Sequence, residues 1–361
     1  MNGIDKWFFA CVVLLTVAGF FIFFSASLGL LARDGARFSG VLMSQFSSLL
    51  LGAILFWCAL WIPQTLLHKY SFYIFLATLI FTAAVFIPGV GVAHGGATRW
   101  IFIGPFSLQP SEFLKLGFVL YFAAWLSAVK TQVQSIAFGF FPLLVMMGFV
   151  GFLLLKQPDT GTFVTILGAG VAMFIAGGAP WKYVFTLGAG ALSGVILLAL
   201  FRPYVRDRIL VFFNPALDPQ GAGYQISQSL IAVGSGGFFG RGFGQSIQKF
   251  NFLPEPTNDS IFAVFSEEFG FLGSALLVAF FVFFALRGLA LSRRAPSYFS
   301  RLTIVGIVIL IAGQAFLNIG SMLGVLPLTG LPLPFVSHGG TALMTALFSV
   351  GLVLNMSRSR V

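Results

Sequence analysis

The sequence predicts an all-α polytopic membrane protein of about ten transmembrane helices, with a long extracytoplasmic loop between helices 7 and 8. Three observations predict it. The composition is 58% hydrophobic and 8% charged, with 46 Phe, and a mean hydropathy of +0.99 exceeds what a soluble core could hide. Apolar runs long enough to cross about 30 Å of hydrocarbon recur along the whole chain. Lys and Arg alternate in density between successive connections, as the positive-inside rule requires of a multi-pass protein.

The runs fall near 7–29, 42–62, 71–89, 111–129, 136–155, 160–179, 183–201, 260–286, 302–324 and 336–356. The first is too long for a signal-peptide core and reads as an uncleaved anchor despite the small residues Ser25 to Ser27. The run 111–129 carries Glu112 and Lys115 and the run 160–179 is rich in glycine; losing either would invert the topology beyond it. Residues 1–361 read as a single integral membrane domain.

With the N-terminus inside, inner segments hold Lys6, Lys69, Lys130, Lys182, Arg287, Arg293, Arg294, Arg301, Arg358 and Arg360, against Arg33, Arg37, Arg99 and Lys156 in the short outer loops. Both termini are therefore expected in the cytoplasm. The net charge of +10 is a topology signal and gives no reason to expect nucleic acid as a partner. Cys11 and Cys58 lie in apolar spans and read as small hydrophobes, with no disulfide or metal framework.

The connection 202–258 is far longer than the others, and long loops of this kind are usually functional. Its apolar patches among glycines and amides read as short interfacial helices on the membrane. The spacing of Gly240, Gly242 and Gly244 superficially matches a nucleotide-binding loop, but no strand precedes it.

Of ten acidic residues, Glu255, Asp259, Glu267 and Glu268 crowd into fourteen positions where this loop enters an apolar helix. Ionised acids in a bilayer cost at least about 2.5–3.5 kcal/mol on insertion scales and so mark polar sites. Asp259 is either a helix N-cap or a working carboxylate. Glu267 shares its helix face about 12 Å deeper, and Glu267 and Glu268 are either structural or functional. Glu112 and Lys115 are spaced to pair, as a fixing salt bridge or as substrate contacts. Arg99, Asp159, Ser337 and His338 cluster on the same side, His338 as a cap or a base. Together these residues describe an outward cavity with a carboxylate at its lip, cations around it and apolar walls, which suits a lipid-linked anionic substrate. No zinc signature, Walker loop or nucleophile elbow is present in the sequence.

Five ordered motifs, RWIFIGPFSLQPSEFLK (99–115), KQPDTGT (156–162), GYQISQSLIAVGSGGFFGRGFGQSIQK (223–249), LPEPTNDSIFAVFSEEFG (253–270) and GLPLPFVSHGG (330–340), resemble the SEDS family (shape, elongation, division and sporulation; FtsW/RodA-like) over nearly the whole chain. The resemblance implies an inner-membrane peptidoglycan glycosyltransferase that polymerises lipid II beside a class B penicillin-binding protein, with Asp259 matching the essential aspartate. Displacement of a diphosphate by a sugar hydroxyl requires one base and charge neutralisation. The implied site is Asp259 as general base, Glu255 supporting it or helping to hold a divalent cation (Mg2+ or Mn2+), and a cation pool of Arg99, Arg202, Arg206, Arg208, Arg241 and Lys249. Gln228 is a further candidate substrate contact.

The chain departs from the family where Asn258 replaces a threonine, Ser260 an aromatic residue and His338 a tyrosine. QSL and SIQK resemble the division-type branch, although Thr329 stands where that branch often carries lysine. The rival reading is a flippase for the same precursor, which would need polar groups through both leaflets. A purely structural, recruiting role would leave the acidic cluster unexplained.

Overall fold

The computed structural model describes residues 4–31, 35–94, 97–103 and 106–358. Arg33 and Arg360, two of the charges counted for sidedness, lie outside the described residues, as does Asp34. The chain forms α1 (Lys6–Leu31), α2 (Gly35–Ala59), α3 (Gln64–Ala83), β1 (Gly91–His94), β2 (Ala97–Ile103), β3 (Phe106–Leu108), α4 (Pro110–Ala128), α5 (Phe141–Lys156), α6 (Thr160–Ala176), α7 (Trp181–Phe201), α8 (Pro203–Phe213), α9 (Ala222–Ser235), α10 (Ile261–Ser292), α11 (Tyr298–Met322) and α12 (Gly340–Met356). Among the described residues eight helices are long and apolar enough to cross a membrane, and α6 and α12 are shorter apolar helices. The protein is thus a helical, multi-pass membrane protein.

Two differences from the sequence reading have local causes. The third helix lies earlier than the apolar run 71–89, because Pro63, extended at φ −61°, starts it at the polar Gln64 and a 3-10 turn at Ala84–Phe86 ends it. The connection before α4 folds into an antiparallel meander in the order β1-β2-β3, an element the hydropathy pattern does not announce.

Helix α11 forms the centre of the bundle, with residues from Phe299 to Met322 buried around most of its circumference. It packs against α4, α6, α9, α10 and α12. Lipid tails are as apolar as these side chains, so packing density and polar contacts hold such helices together rather than hydrophobic transfer. By contrast, only Tyr183 and Leu187 of α7 are buried, and its other large side chains, Phe185, Leu192, Leu200 and Phe201 among them, face outward.

The loop 202–258 contains α8 and α9 and also folds into a break in α10. Gly270 adopts φ 64° and ψ −162° inside that helix, a left-handed conformation that glycine alone adopts freely. The break strands carbonyls and amides that lipid cannot satisfy. The segment after α9 satisfies them: Arg241 N–H donates to Glu267 O (3.1 Å) and Gly242 N–H to Glu268 O (2.9 Å). Phe271 and Leu272 N–H donate in turn to Gly237 O (2.9 Å) and Phe238 O (3.1 Å). A Cβ on Gly270 would lie 2.3 Å from Gly240 N, so the two strands of backbone meet in contact.

Charges reinforce this junction. The Glu267 carboxylate accepts from Ser246 Oγ (2.5 Å), Ile247 N–H (3.2 Å) and Gln248 N–H (3.1 Å), and pairs with Arg241 at 3.4 Å. Lys249, with its side chain fully buried, pairs with Glu268 at 2.7 Å, while Ser25 Oγ of α1 donates to the same carboxylate (2.7 Å). Both glutamates are therefore structural groups of the loop–helix junction.

Removing one partner of a buried pair strands the other charge, at a cost of about 3–5 kcal/mol. Lys249→Met or Glu268→Gln alone should lower the thermal midpoint of the purified protein markedly, whereas Lys249→Met with Glu268→Met should recover most of the loss. Unfolding in detergent, followed by tryptophan fluorescence, measures both.

Candidate active site

Asp259 stands at the end of the long loop, two residues before α10. The N-cap of that helix is Ser260, without a side-chain capping bond, so Asp259 is not a capping residue. Its backbone is fixed from α11, where Asn318 Nδ2 donates to Asp259 O and to Leu331 O, both at 2.7 Å. Its carboxylate is held from α9, where Gln225 Nε2 donates to Oδ2 (3.2 Å) and to Ser260 Oγ (3.0 Å). The other oxygen, Oδ1, is buried and has no hydrogen-bond partner.

Burial pushes the Asp259 carboxyl up to about 6; the Gln225 hydrogen bond and the Arg208 charge pull it down, and the Glu255 charge adds to the rise. Glu255 itself is exposed and sits in a left-handed turn at φ 47°. This turn lets its carbonyl accept from Asn258 N–H (3.0 Å) and Ser260 N–H (3.3 Å). Its carboxylate accepts from Asn258 Nδ2 at 2.6 Å. Glu255 thus shapes the turn and repels charge on Asp259.

The cation pool divides sharply. Arg208 of α8 donates from Nη1 to Leu328 O (2.7 Å) and stacks over the Tyr204 ring, 4.4 Å from its centroid. A Cβ placed on Gly330 would lie 3.9 Å from Arg208 Nη2 and 4.0 Å from Asp259 Oδ2, so the guanidinium and the carboxylate face one slot. Arg99 is occupied by Gln157 O (3.2 Å), Pro158 O and the Asp159 carboxylate (3.8 Å). Asp159 in turn accepts from Thr162 N–H at the start of α6 (3.4 Å) and Ser111 Oγ of α4 (3.2 Å). Arg241 and Lys249 belong to the α10 junction. Arg206 pairs with its exposed neighbour Asp207 (3.5 Å), a contact of little energetic weight. Arg202 is exposed between α7 and α8.

Other candidates serve the framework. Glu112 and Lys115 form a buried pair at 2.8 Å, completed by Thr345 Oγ1 (3.1 Å) and Gln314 Oε1 (2.7 Å), which fixes α4 against α11 and α12. Ser337 Oγ donates to Asn258 O (2.5 Å) and accepts from Leu333 N–H (2.8 Å). His338 N–H donates to Thr257 O (2.8 Å) and its ring stacks on Phe23, with centroids 5.7 Å apart. Burial pushes the His338 pKa down, and its ring contact with Phe23 holds the loop against α1. Gln225, three residues before the anticipated Gln228, makes the contact to Asp259. Gln225 and Asn318 were missed by sequence reasoning, although an amide such as Asn318 in an apolar helix is itself a signal, because lipid leaves it unsatisfied.

Among the described residues no group of three or more His, Cys, Asp or Glu comes together to hold a metal ion. Asp259 faces the slot and Glu255 lies within charge reach of Asp259, which suits at most an ion of the Mg2+ type, bound through one or two carboxylates and substrate phosphates.

Fold and site define a multi-pass helical membrane protein with a carboxylate and a guanidinium facing a common slot at a loop–helix junction. Residues 5–361 match the sequence model of the family described as "Cell cycle protein", that of FtsW, RodA and SpoVE. Stage V sporulation protein E of Bacillus subtilis is 43% identical over 274 residues, covering 76% of this chain and 75% of that protein. A probable peptidoglycan glycosyltransferase FtsW of Geobacter sp. is 36% identical over 360 residues, 99% of this chain and 97% of that one. Among solved structures, a chain of a peptidoglycan synthase complex superposes with TM-score 0.82 at 28% identity, covering 99% of this chain and 98% of its own. The rod shape determining protein RodA of Thermus thermophilus superposes with TM-score 0.72 at 27% identity, covering 99% and 97%. The chain belongs to the FtsW/RodA (SEDS) family of peptidoglycan glycosyltransferases.

The raised pKa of Asp259 has a definite sign. Because the folded state holds this proton more tightly than the unfolded chain, ionisation costs stability as pH rises from about 4 through about 6. At pH 7.5 Asp259→Asn should therefore fold at least as stably as wild type, gaining up to about 3 kcal/mol. Difference infrared spectra against that variant should show the carboxylic-acid band of Asp259 disappearing with a midpoint near 6. Gln225→Leu should move the midpoint upward.

Proposed function

We propose that this protein polymerises lipid II into glycan strands, with Asp259 as general base and undecaprenyl diphosphate as leaving group. The observation that carries the reading is the buried, unpartnered Oδ1 of a carboxyl poised near 6 beside a guanidinium. A base works best when its pKa lies near the working pH. The acceptor sugar hydroxyl gives its proton to Asp259 as its oxygen bonds to the anomeric carbon of the donor. The bond from that carbon to the diphosphate oxygen breaks on the opposite face, with inversion, and the electron pair leaves on the diphosphate. A Mg2+ or Mn2+ ion held by Asp259 or Glu255 and the phosphates would supply further charge neutralisation; no step here depends on it.

In this reading the whole chain is one membrane domain with ten crossings, α6 and α12 making the two short ones, and both termini are cytoplasmic. The 202–258 loop, α8 and α9 then lie on the outer face of the bacterial cytoplasmic membrane. A class B penicillin-binding protein is the fitting partner, since the similar solved complex couples polymerisation to crosslinking. Several probable FtsW proteins among the relatives favour a division role. The flippase reading fits less well, because the buried charges inside the bundle are closed into pairs rather than lining a path.

Purified protein with a polymerase-deficient penicillin-binding partner should convert labelled lipid II to glycan chains, and Asp259→Ala should lower the rate by about 100-fold or more. The rate should rise with pH through an acid limb near 6. Equal chain formation by the folded variant would remove Asp259 as base, and headgroup transfer across liposomes without polymer would favour the flippase.

A further inference from the structure

A transferase that expels a diphosphate needs a cation fixed where the negative charge gathers, and the sequence offers six candidates without ranking them. The structure ranks them by what each already holds. Arg241 and Lys249 pair with the carboxylates of the α10 junction, Arg99 meets Asp159 and two carbonyls, and Arg206 meets Asp207. Arg202 opens α8 six residues before Arg208, which at 100° per residue turns it about 120° away around the helix.

Arg208 is different. One edge of its guanidinium is fixed by Leu328 O and its face by Tyr204. It is charge-coupled to Asp259, yet among the described residues no ion pair closes between them. Gly330 lies between the two groups at φ 66°, and its missing side chain leaves the slot open. Asp259 Oδ1, Asn318 Oδ1 and Thr329 Oγ1 are all buried without a hydrogen-bond partner, and Asn318 is only 1% exposed. Buried polar atoms are nearly always paired in a folded protein, so these orphans, on Asp259 itself, on the amide that binds its carbonyl and on the neighbour of Gly330, describe a site shaped for a polar ligand.

We propose that Arg208 is the diphosphate anchor of this slot, gripping phosphate oxygens with the guanidinium N–H groups that Leu328 O leaves free while the acceptor hydroxyl meets Asp259 Oδ1. The assignment rests on the glycosyltransferase reading and deepens it. Arginine suits the role because its planar fork binds phosphate in two places, and a lysine would keep the charge but lose that geometry.

The test is calorimetric titration of the purified full-length protein in detergent with geranyl diphosphate, and with geraniol as the uncharged control. Arg208→Ala and Arg208→Gln should weaken diphosphate binding by about 10- to 100-fold, with Arg208→Lys between them and wild type. Arg208→Gln keeps a donor for Leu328 O and guards against a folding defect. Geraniol binding should not change, and Asp259→Asn should bind the diphosphate as well as wild type or better. Wild-type affinity in the Arg208 variants would overturn the anchor, as would an equal loss for geraniol, which would mark a structural role. If Asp259→Asn polymerises normally while diphosphate binding still depends on Arg208, the base fails and the anchor stands. If wild type polymerises in an Asp259-dependent manner without binding the diphosphate, the anchor alone fails.

Discussion

A helix that breaks within a bilayer leaves backbone groups that lipid cannot satisfy, and α10 breaks at Gly270. The loop segment from Gly237 to Gly242 supplies the missing partners, and two adjacent glutamates tie the following residues, Ser246 to Lys249, to the same place. This constraint reaches the site through the chain itself. Folding the segment after α9 into the break draws α9 alongside α10, and Gln225 of α9 then meets the carboxylate two residues before α10 begins. The Asp259 end of the loop is therefore positioned by a polar repair made about two turns further along α10.

The electrostatics follow the same economy. Five basic residues lie in the loop and Arg99 lies before α4, but a cation paired with a buried carboxylate is not free to meet a substrate, since removing its partner costs several kcal/mol. The acidic residues at this end sort the cations: Glu267 and Glu268 take Arg241 and Lys249, and Asp159 takes Arg99. Asp259 takes none, and burial raises its pKa while Arg208 moderates the rise. An unpaired carboxylate and a guanidinium without a carboxylate partner across one slot is a costly arrangement for folding alone, and it is the arrangement that general-base attack on a diphosphate-linked sugar requires.

Much of this was legible in the sequence, for physical reasons. Apolar length announces helices because the bilayer sets that length, and Asp259 was legible because acids are rare near lipid. The meander β1–β3 was not, since its strands are too short to leave a helix-length apolar run. Nor could spacing separate Arg208 from Arg241 or Lys249: the difference lies in which carboxylate each meets across tens of residues. Gln225 did not stand out because it shares one amphipathic stretch with Gln228, and only the packing of α9 on α10 shows that it meets Asp259.

The departures from the family pattern gain meaning from these contacts. His338 and Asn258 make their principal loop contacts through the backbone, His338 N–H to Thr257 O and Asn258 O to Ser337 Oγ, so the loop can close with other side chains at either position. The Asn258 amide adds a bond to Glu255, which helps hold that carboxylate in its turn. Ser260 stands apart, because its hydroxyl shares the Gln225 amide with Asp259. An aromatic side chain at 260 could not accept that bond in the same way, and Gln225 would be left to Asp259 alone. The Gln225 amide nitrogen carries two N–H donors, so Ser260 takes one and Asp259 the other, and the serine helps to fix the amide in the orientation that meets the carboxylate.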